Sequence, residues 1–283
     1  MSSLTAAYAI ARPTSAPRLV FDSPHSGRTY PVSFASIAPH EQLRWAEDAY
    51  VDELLEPAVA HGTVLLCATL PRSYIDLNRA VTDIDAELLS EPWPAPLART
   101  DKTERGLGLV RRFVVPGVPI YALHSLSVAQ VQRRIHEVYE PYHAALDTLI
   151  AELREARGNV WHVNWHSMKS RGNAMTPDGA GATRADFVVS DRDGTSAAPE
   201  LTALIVKSLT GLGYRVTVNT PYKGGHIVQR LGRPASGVHS VQIEINRALY
   251  LDEQRVERTA GFAMLREQLA GVAQQLAEAA PAR

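Results

Sequence analysis

Seven short apolar runs carry the strand signal of this chain: 18–22, 63–70, 109–115, 159–165, 186–190, 214–218 and 238–246. They are rich in Val, Leu, Ile and aromatic side chains, which suit a pleated, partly buried surface. In the last run Val241, Ile243 and Ile245 alternate with Gln242, Glu244 and Asn246. That period of two sets the three polar side chains on one face. Between the runs, the spacing predicts helices near 41–60, 127–157, 199–211 and 252–279. Ser127 with Gln130 reads as a capping box opening the second helix, and Pro141 should kink or break it. Gly211 and Gly213 punctuate the end of the third. No internal repeat or long linker interrupts the pattern, so a single domain over residues 1–283 is expected.

Strands alternating with helices predict an α/β fold, with a mixed, mostly parallel central sheet covered by helices on both faces. Ligands bind such sheets at the strand ends, so residues just after strands carry the interest. His25 follows the first run in SPHSG, His166 follows 159–165 in HSMKS, and PRSYIDLNR follows Leu70.

Composition narrows the classes. The chain has 283 residues, 45% hydrophobic and 21% charged, with a net charge of -1. It is long enough to bury a full core. Nothing in its charge draws it to nucleic acid or acidic membranes, and no basic stripe interleaved with aromatics is present. No run approaches the roughly 20 apolar residues of a membrane span. The start, MSSLTAAYAIARPTSAPR, lacks the pattern of a signal peptide. The one cysteine, Cys67, lies in an apolar run and reads as a core thiol. These features fit a reducing, cytoplasmic location and a small-molecule partner, and none of them sets an oligomeric state.

Two histidines at strand ends suggest a metal site, which in catalytic form needs three protein ligands and an open position. A carboxylate should complete the set. The segment EQLRWAEDAYVDELLEP offers Glu47, Asp48 and Asp52. A helical wheel through Leu43, Tyr50, Leu54 and Ala58 puts Glu47 on the apolar face and Asp48 at its border. His162 shares a strand face with His166 but lies mid-strand, so it reads as packing or support. His61, His124 and His239 read as ordinary hydrogen-bonded or surface residues. Arg72 and Arg79 flank Asn78, and arginine presents a planar fork of donors that matches a carboxylate. No G-x-S-x-G elbow occurs, so Ser26 and Ser167 are not read as nucleophiles.

Taken in order, SPHSG (23–27), EDAYVDEL (47–54), DLNR (76–79), NWHSM (164–168) and the long block 219–253 resemble the N-formylglutamate amidohydrolase family. The resemblance spans nearly the whole chain. It extends more broadly to the zinc carboxypeptidase and aspartoacylase fold. It implies one Zn2+ per chain, with cobalt or manganese as alternatives, on His25, Asp48 and His166. On this point it favours Asp48 where the wheel favours Glu47. It implies Arg72 as the group that polarises the scissile carbonyl, Asn78 and Arg79 as a clamp for a substrate carboxylate, and Glu244 as the general base. The implied reaction is hydrolysis of N-formyl-L-glutamate to formate and L-glutamate, as in histidine degradation.

Such a substrate carries two carboxylates and needs two cationic partners. Arg79 serves one; Arg105, Lys223 and Arg230 are candidates for the other. Two departures stand out. Arg28 occupies the place from which carboxypeptidases take a Glu ligand, and His226 stands where many family members carry Tyr. The stretches 100–110 and 171–185 read as specificity loops, the second flexible over the site. Two alternatives are the same chemistry on another small N-formyl or N-acyl amino acid or amide, and a ligand-binding relative without metal. The second would be marked by a missing ligand or base, and His25, Asp48, His166 and Glu244 are all present.

Overall fold

The computed structural model describes residues 6–281, so the first five residues of the N-terminal stretch and the last two of the chain lie outside it. Seven strands form one sheet: β1 (Tyr8–Ala11), β2 (Leu19–Ser23), β3 (Thr63–Ala68), β4 (Val160–Met168), β5 (Phe187–Ser190), β6 (Val216–Val218) and β7 (Val238–Asn246). Their order is β1-β3-β2-β4-β7-β5-β6. The β2/β3, β2/β4, β4/β7 and β5/β6 pairs are parallel, and β1/β3 and β5/β7 are antiparallel. The sheet is therefore mixed and mostly parallel, as the alternation of strands and helices predicted.

The helices in chain order are α1 (His40–Leu43), α2 (Val51–Leu55), α3 (Asp101–Glu104), α4 (Val128–Arg134), α5 (Glu140–Arg157), α6 (Pro199–Gly211), α7 (His226–Leu231) and α8 (Gly261–Ala279). They cover both faces. On one, Tyr142, Leu146, Leu149 and Leu153 recur along α5 at helical spacing and pack with Val20, Leu66 and Val160. On the other, Leu54, Leu201, Ile205, Leu269 and Leu276 pack with Phe21, Val163, Trp165 and Ile243. No helix among the described residues is long and apolar enough to cross a membrane.

Several elements differ from the sequence expectation. Residues 109–115 are not a strand. Leu109, Val110 and Val114 are buried, which explains the apolar spacing, but their hydrogen bonds close local turns. Leu109 N–H donates to the Asp83 carbonyl, and Arg112 and Val114 bond to Gly106 and Val118. The expected helix at 41–60 is broken into α1, a 3-10 turn at Arg44–Ala46, α2, and a second 3-10 turn at Glu56–His61. The break falls at 47–50, where Tyr50 takes a left-handed φ of 62°. The expected helix at 252–279 begins only at Gly261. Pro141 distorts its helix as predicted: a wide π-type turn at Ile135–Tyr139 precedes α5, whose first turn takes up the proline.

The register of the central strands positions the site. Along β4 and β7, His162 pairs with Ser240, Asn164 with Gln242, and His166 with Glu244. On the other side of β4, Asp22 of β2 pairs with Asn164. The odd-numbered partners Val163, Trp165, Val241 and Ile243 face the α8 side. The polar residues therefore form one stripe on the α5 side, and α5 reaches it where the Tyr142 hydroxyl donates to Asp22 Oδ2 at 2.8 Å.

Candidate active site

His25 sits in the turn after β2, Asp48 in the break before α2, and His166 near the end of β4. The broken helix brings Asp48 into place. Its backbone N–H donates to the His25 carbonyl at 3.0 Å, and Arg247 holds its side chain through a 3.1 Å contact to Oδ1. Arg247 also donates to the Trp45 carbonyl, the Glu47 carbonyl and Ser167 Oγ. Glu47 turns away from the histidines and accepts from the Tyr30 hydroxyl at 2.6 Å. Of the three acidic residues the sequence offered, Asp48 is the one beside the histidines, while Asp52 lies 3.5 Å from Arg28.

Both imidazoles present Nδ1 to Asp48 Oδ2, at 3.4 Å from His25 and 2.9 Å from His166. The far nitrogens are anchored. His25 Nε2–H donates to Asp76 Oδ1 at 2.7 Å, and with Nδ1 turned to Asp48, His166 Nε2–H donates to Asn164 Oδ1 at 2.7 Å. Such partners fix the tautomer and ring orientation of metal-binding histidines. The three potential ligand atoms lie within 4.8 Å of one another. His25 Nδ1 is buried and has no hydrogen-bond partner among the described residues. An orphaned imidazole nitrogen facing a carboxylate and a second imidazole fits a divalent metal, and two nitrogens with one carboxylate oxygen is a catalytic donor set.

Charge around this cluster is arranged by Asp76 and Arg72. Asp76 accepts from His25, from the Asn78 backbone N–H at 3.0 Å and from Arg72 Nη2 at 2.9 Å. Arg72 also stands 3.6 Å from Asp48 Oδ1. Burial alone would push the Asp48 carboxyl up. The adjoining His166 and His25 imidazoles and the charge of Arg72 outweigh it and hold the carboxyl well below its ordinary value. Glu244 goes the other way: burial raises its pKa, and His166 and Arg72 only partly oppose this. Its Oε1 accepts from Gln242 Nε2 at 2.8 Å. β7 lies between β4 and β5 in the sheet, so Glu244 is an interior carboxylate, not an edge one.

These groups open into a cavity of about 340 Å³, within the size range of small-ligand sites. Nine of its lining residues are Lys or Arg, against one acid, Glu244. Asn78 is pinned there: its Oδ1 accepts from the Ile227 N–H at 2.8 Å, and its Nδ2 lies 3.0 Å from His166 Nε2. Arg79 lines the wall and donates to the carbonyls of Leu107 and Asn78. Arg105 and Lys223 lie at the exposed rim, where Lys223 Nζ meets Asp193 at 2.8 Å. Arg230 does not line the cavity. It pairs with Asp147 of α5 at 2.6 Å and contacts His143. The stretch 171–185 does cover the site, with Asn173, Met175 and Thr176 on the wall. Arg184 ties it down through two 2.8–2.9 Å bonds to Asp178.

Sequence reasoning missed Asp76, Asn164, Arg247 and Arg111. Asp76 and Asn164 lie in quoted motifs, and their polar character on an otherwise apolar background was the available signal. Arg247 follows directly on β7. Arg111 was hidden inside a run read as a strand. His162 is held by Asp22 and Ser240, at 2.9 and 2.8 Å, and is not part of the metal cluster.

The fold and site together define an α/β protein with a candidate single-metal centre at the floor of a cationic pocket. The family model for N-formylglutamate amidohydrolase matches residues 17–251, and the chain belongs to that family. It is 29% identical over 239 residues to the N-formylglutamate deformylase of Pseudomonas aeruginosa, covering 83% of each chain. It is 26% identical over 212 residues to the N-formylglutamate deformylase of Pseudomonas putida, covering 73% and 71%. Among solved structures, the N-formylglutamate amidohydrolase from Ralstonia eutropha JMP134 is 42% identical and superposes with a TM-score of 0.91, over 98% of this chain and 99% of that one.

Proposed function

We propose that this protein is a metal-dependent amidohydrolase that cleaves N-formyl-L-glutamate to formate and L-glutamate. The observation that carries the reading is the His25–Asp48–His166 cluster set beside Glu244 in a pocket whose charged lining residues are, Glu244 apart, all cations. The deformylases of the two Pseudomonas species support the choice of substrate. His25, Asp48 and His166 would hold the metal, zinc being the first candidate. When bound, such a metal supplies Lewis acidity that lets water lose a proton near neutral pH.

Glu244 takes the proton from the water attacking the formyl carbon. It then delivers that proton to the leaving nitrogen as the C–N bond breaks. A carboxyl whose pKa is raised by burial suits both halves of that exchange. Arg72 faces the same space and stabilises the oxyanion that forms on the formyl oxygen. Its ion pair with Asp76 keeps the guanidinium in place. Arg79 donates Nε and Nη1 to backbone carbonyls and has no carboxylate partner among the described residues, which leaves its Nη2 for a substrate carboxylate.

The test measures metal content and formate release on one purified sample, before and after chelation, beside Glu244→Gln. About one metal per chain, release abolished by chelator, and a variant that keeps its metal but is at least about 10²-fold slower are expected. Bound metal with no formate released would discard this substrate and direct the search to other N-acyl compounds. A folded protein that binds no added metal would overturn the mechanism.

A further inference from the structure

Among the described residues, the buried Arg111 guanidinium of the cavity wall has neither a carboxylate partner nor a close hydrogen bond. Arg111 is 7% exposed and lines the cavity wall. Among the described residues its one hydrogen bond is long, from Nη2 to the Val114 carbonyl at 3.4 Å. Its Nε is buried and has no partner at all. The neighbouring arginines are committed: Arg72 to Asp76 and Asp48, Arg247 to Asp48, and Arg184 to Asp178. Arg79 has no carboxylate partner either, but its Nε and Nη1 are satisfied by backbone carbonyls at 2.8 and 2.7 Å.

This arrangement is costly unless something completes it. A buried charge is tolerated when it is paired, and an unpaired one is strongly disfavoured. Arginine cannot escape by losing its proton as a lysine can. Burial and the charge of Arg72 push the Arg111 guanidinium down to about 9, the direction expected for a cation lacking its anion. The side chain is not placed by chance. Leu109, Val110 and Val114 anchor its loop in the core, and the Leu109 backbone is pinned at both ends, to Asp83 and Asp76. A rigid, preorganised fork of donors matches a carboxylate.

We propose that Arg111 is the receptor for the side-chain carboxylate of a dicarboxylate ligand, with Arg79 taking the other carboxylate. The assignment of the ligand to N-formylglutamate rests on the reading above; the unneutralised charge does not. Arg111 rather than the rim residues Arg105 and Lys223 then sets the preference for an acidic side chain. The rim cations are exposed, where ion pairs are worth little.

The test is calorimetric binding of glutarate and of glutaramate, its half-amide, to the protein as purified, for the wild type, Arg111→Met and Arg111→Lys. Neither ligand carries an N-formyl group, so the result does not depend on the reaction assigned. The wild type should favour glutarate by roughly 10²-fold, since breaking one buried charge pair has effects of that order or larger. Arg111→Met should bind the two about equally, and Arg111→Lys should keep part of the preference. Arg111→Met should also melt no lower than the wild type, because it removes an uncompensated charge. If the Met variant does not fold, Arg111→Gln carries the same comparison. Unchanged glutarate preference in the variants, or an equal loss for both ligands, overturns the proposal. Wild-type protein that shows the Arg111-dependent preference but releases no formate would keep the receptor and discard the reaction. Formate release without that dependence would do the reverse.

Discussion

Asn164 and His166 lie two residues apart on one strand and are joined side chain to side chain, with Asn164 Oδ1 2.7 Å from His166 Nε2. The other end of the same amide donates to Asp22 Oδ1 at 2.7 Å. The imidazole is thus referenced to a buried carboxylate on the neighbouring strand. Asn164→Ala should loosen His166 without touching the metal position, and metal affinity should fall about 10–100-fold. A competition titration against a chelator of known affinity measures this; an unchanged affinity would make Asn164 a packing residue.

Glu244 should work against the stability of the metal-free protein. Its folded pKa is raised, so the folded state holds a proton that the unfolded chain releases at about 4.3. Its contribution is most favourable below that value and is lost as pH rises through the folded value. Glu244→Gln keeps the shape and removes the charge. In chelated protein it should melt higher than the wild type at pH 7, and the gap should close towards about pH 4. Thermal melts across that range decide it, and a variant less stable at pH 7 would contradict the sign.

Asp22 should behave in the opposite sense. Burial favours its neutral form, but His162, Asn164 and Tyr142 outweigh that and lower its pKa. The stability it contributes is present above about pH 3.9 and is lost as pH falls through the lower folded value. Asp22→Asn should cost about 1–3 kcal/mol near neutrality, where its donors lose their acceptor. The penalty should shrink below about pH 4. Urea titrations at pH 7 and pH 3.5 test both statements.

Gly225 is required by a close approach rather than by its backbone angles. A Cβ there would lie 2.4 Å from Asn78 Nδ2 and 2.6 Å from Oδ1, while the Gly225 N–H already donates to Gln242 Oε1 at 2.7 Å. Gly225→Ala must displace the Asn78 amide from the cavity wall. A shift of this size should lower kcat/KM by about 10²-fold with metal content unchanged. Steady-state kinetics with parallel metal analysis would show it, and full activity would mean the Asn78 position is not needed.

Much of the sheet was legible because burial and strand period coincide. Along 159–165 and 238–246 the alternation reflected one face packed on α8 and one carrying the site. The segments that failed are those where tertiary contacts override local pattern. The spacing of Leu43, Leu54 and Ala58 reported burial correctly, but Asp48 is drawn between two histidines and Arg247, and the helix breaks to allow it. At 109–115 the apolar residues are buried without a strand partner, and the strand reading concealed Arg111. Spacing also could not tell Arg230, bound to Asp147, from a pocket cation. The strand β1 was not anticipated: it is four residues long, and none of them is fully buried, so no alternation of apolar and polar positions marks it.

The surplus of cations in the cavity has a consequence for the end of the reaction. On the proposed chemistry, formate leaves as a small anion with few attachments. The amino acid keeps both carboxylates through hydrolysis, and with them every contact that recruited the substrate. The new ammonium group is left beside the Glu244 carboxylate that supplied its proton, with the basic wall beyond. Glutamate therefore holds more attachments than formate does, and its escape is the step that would set the pace of product release.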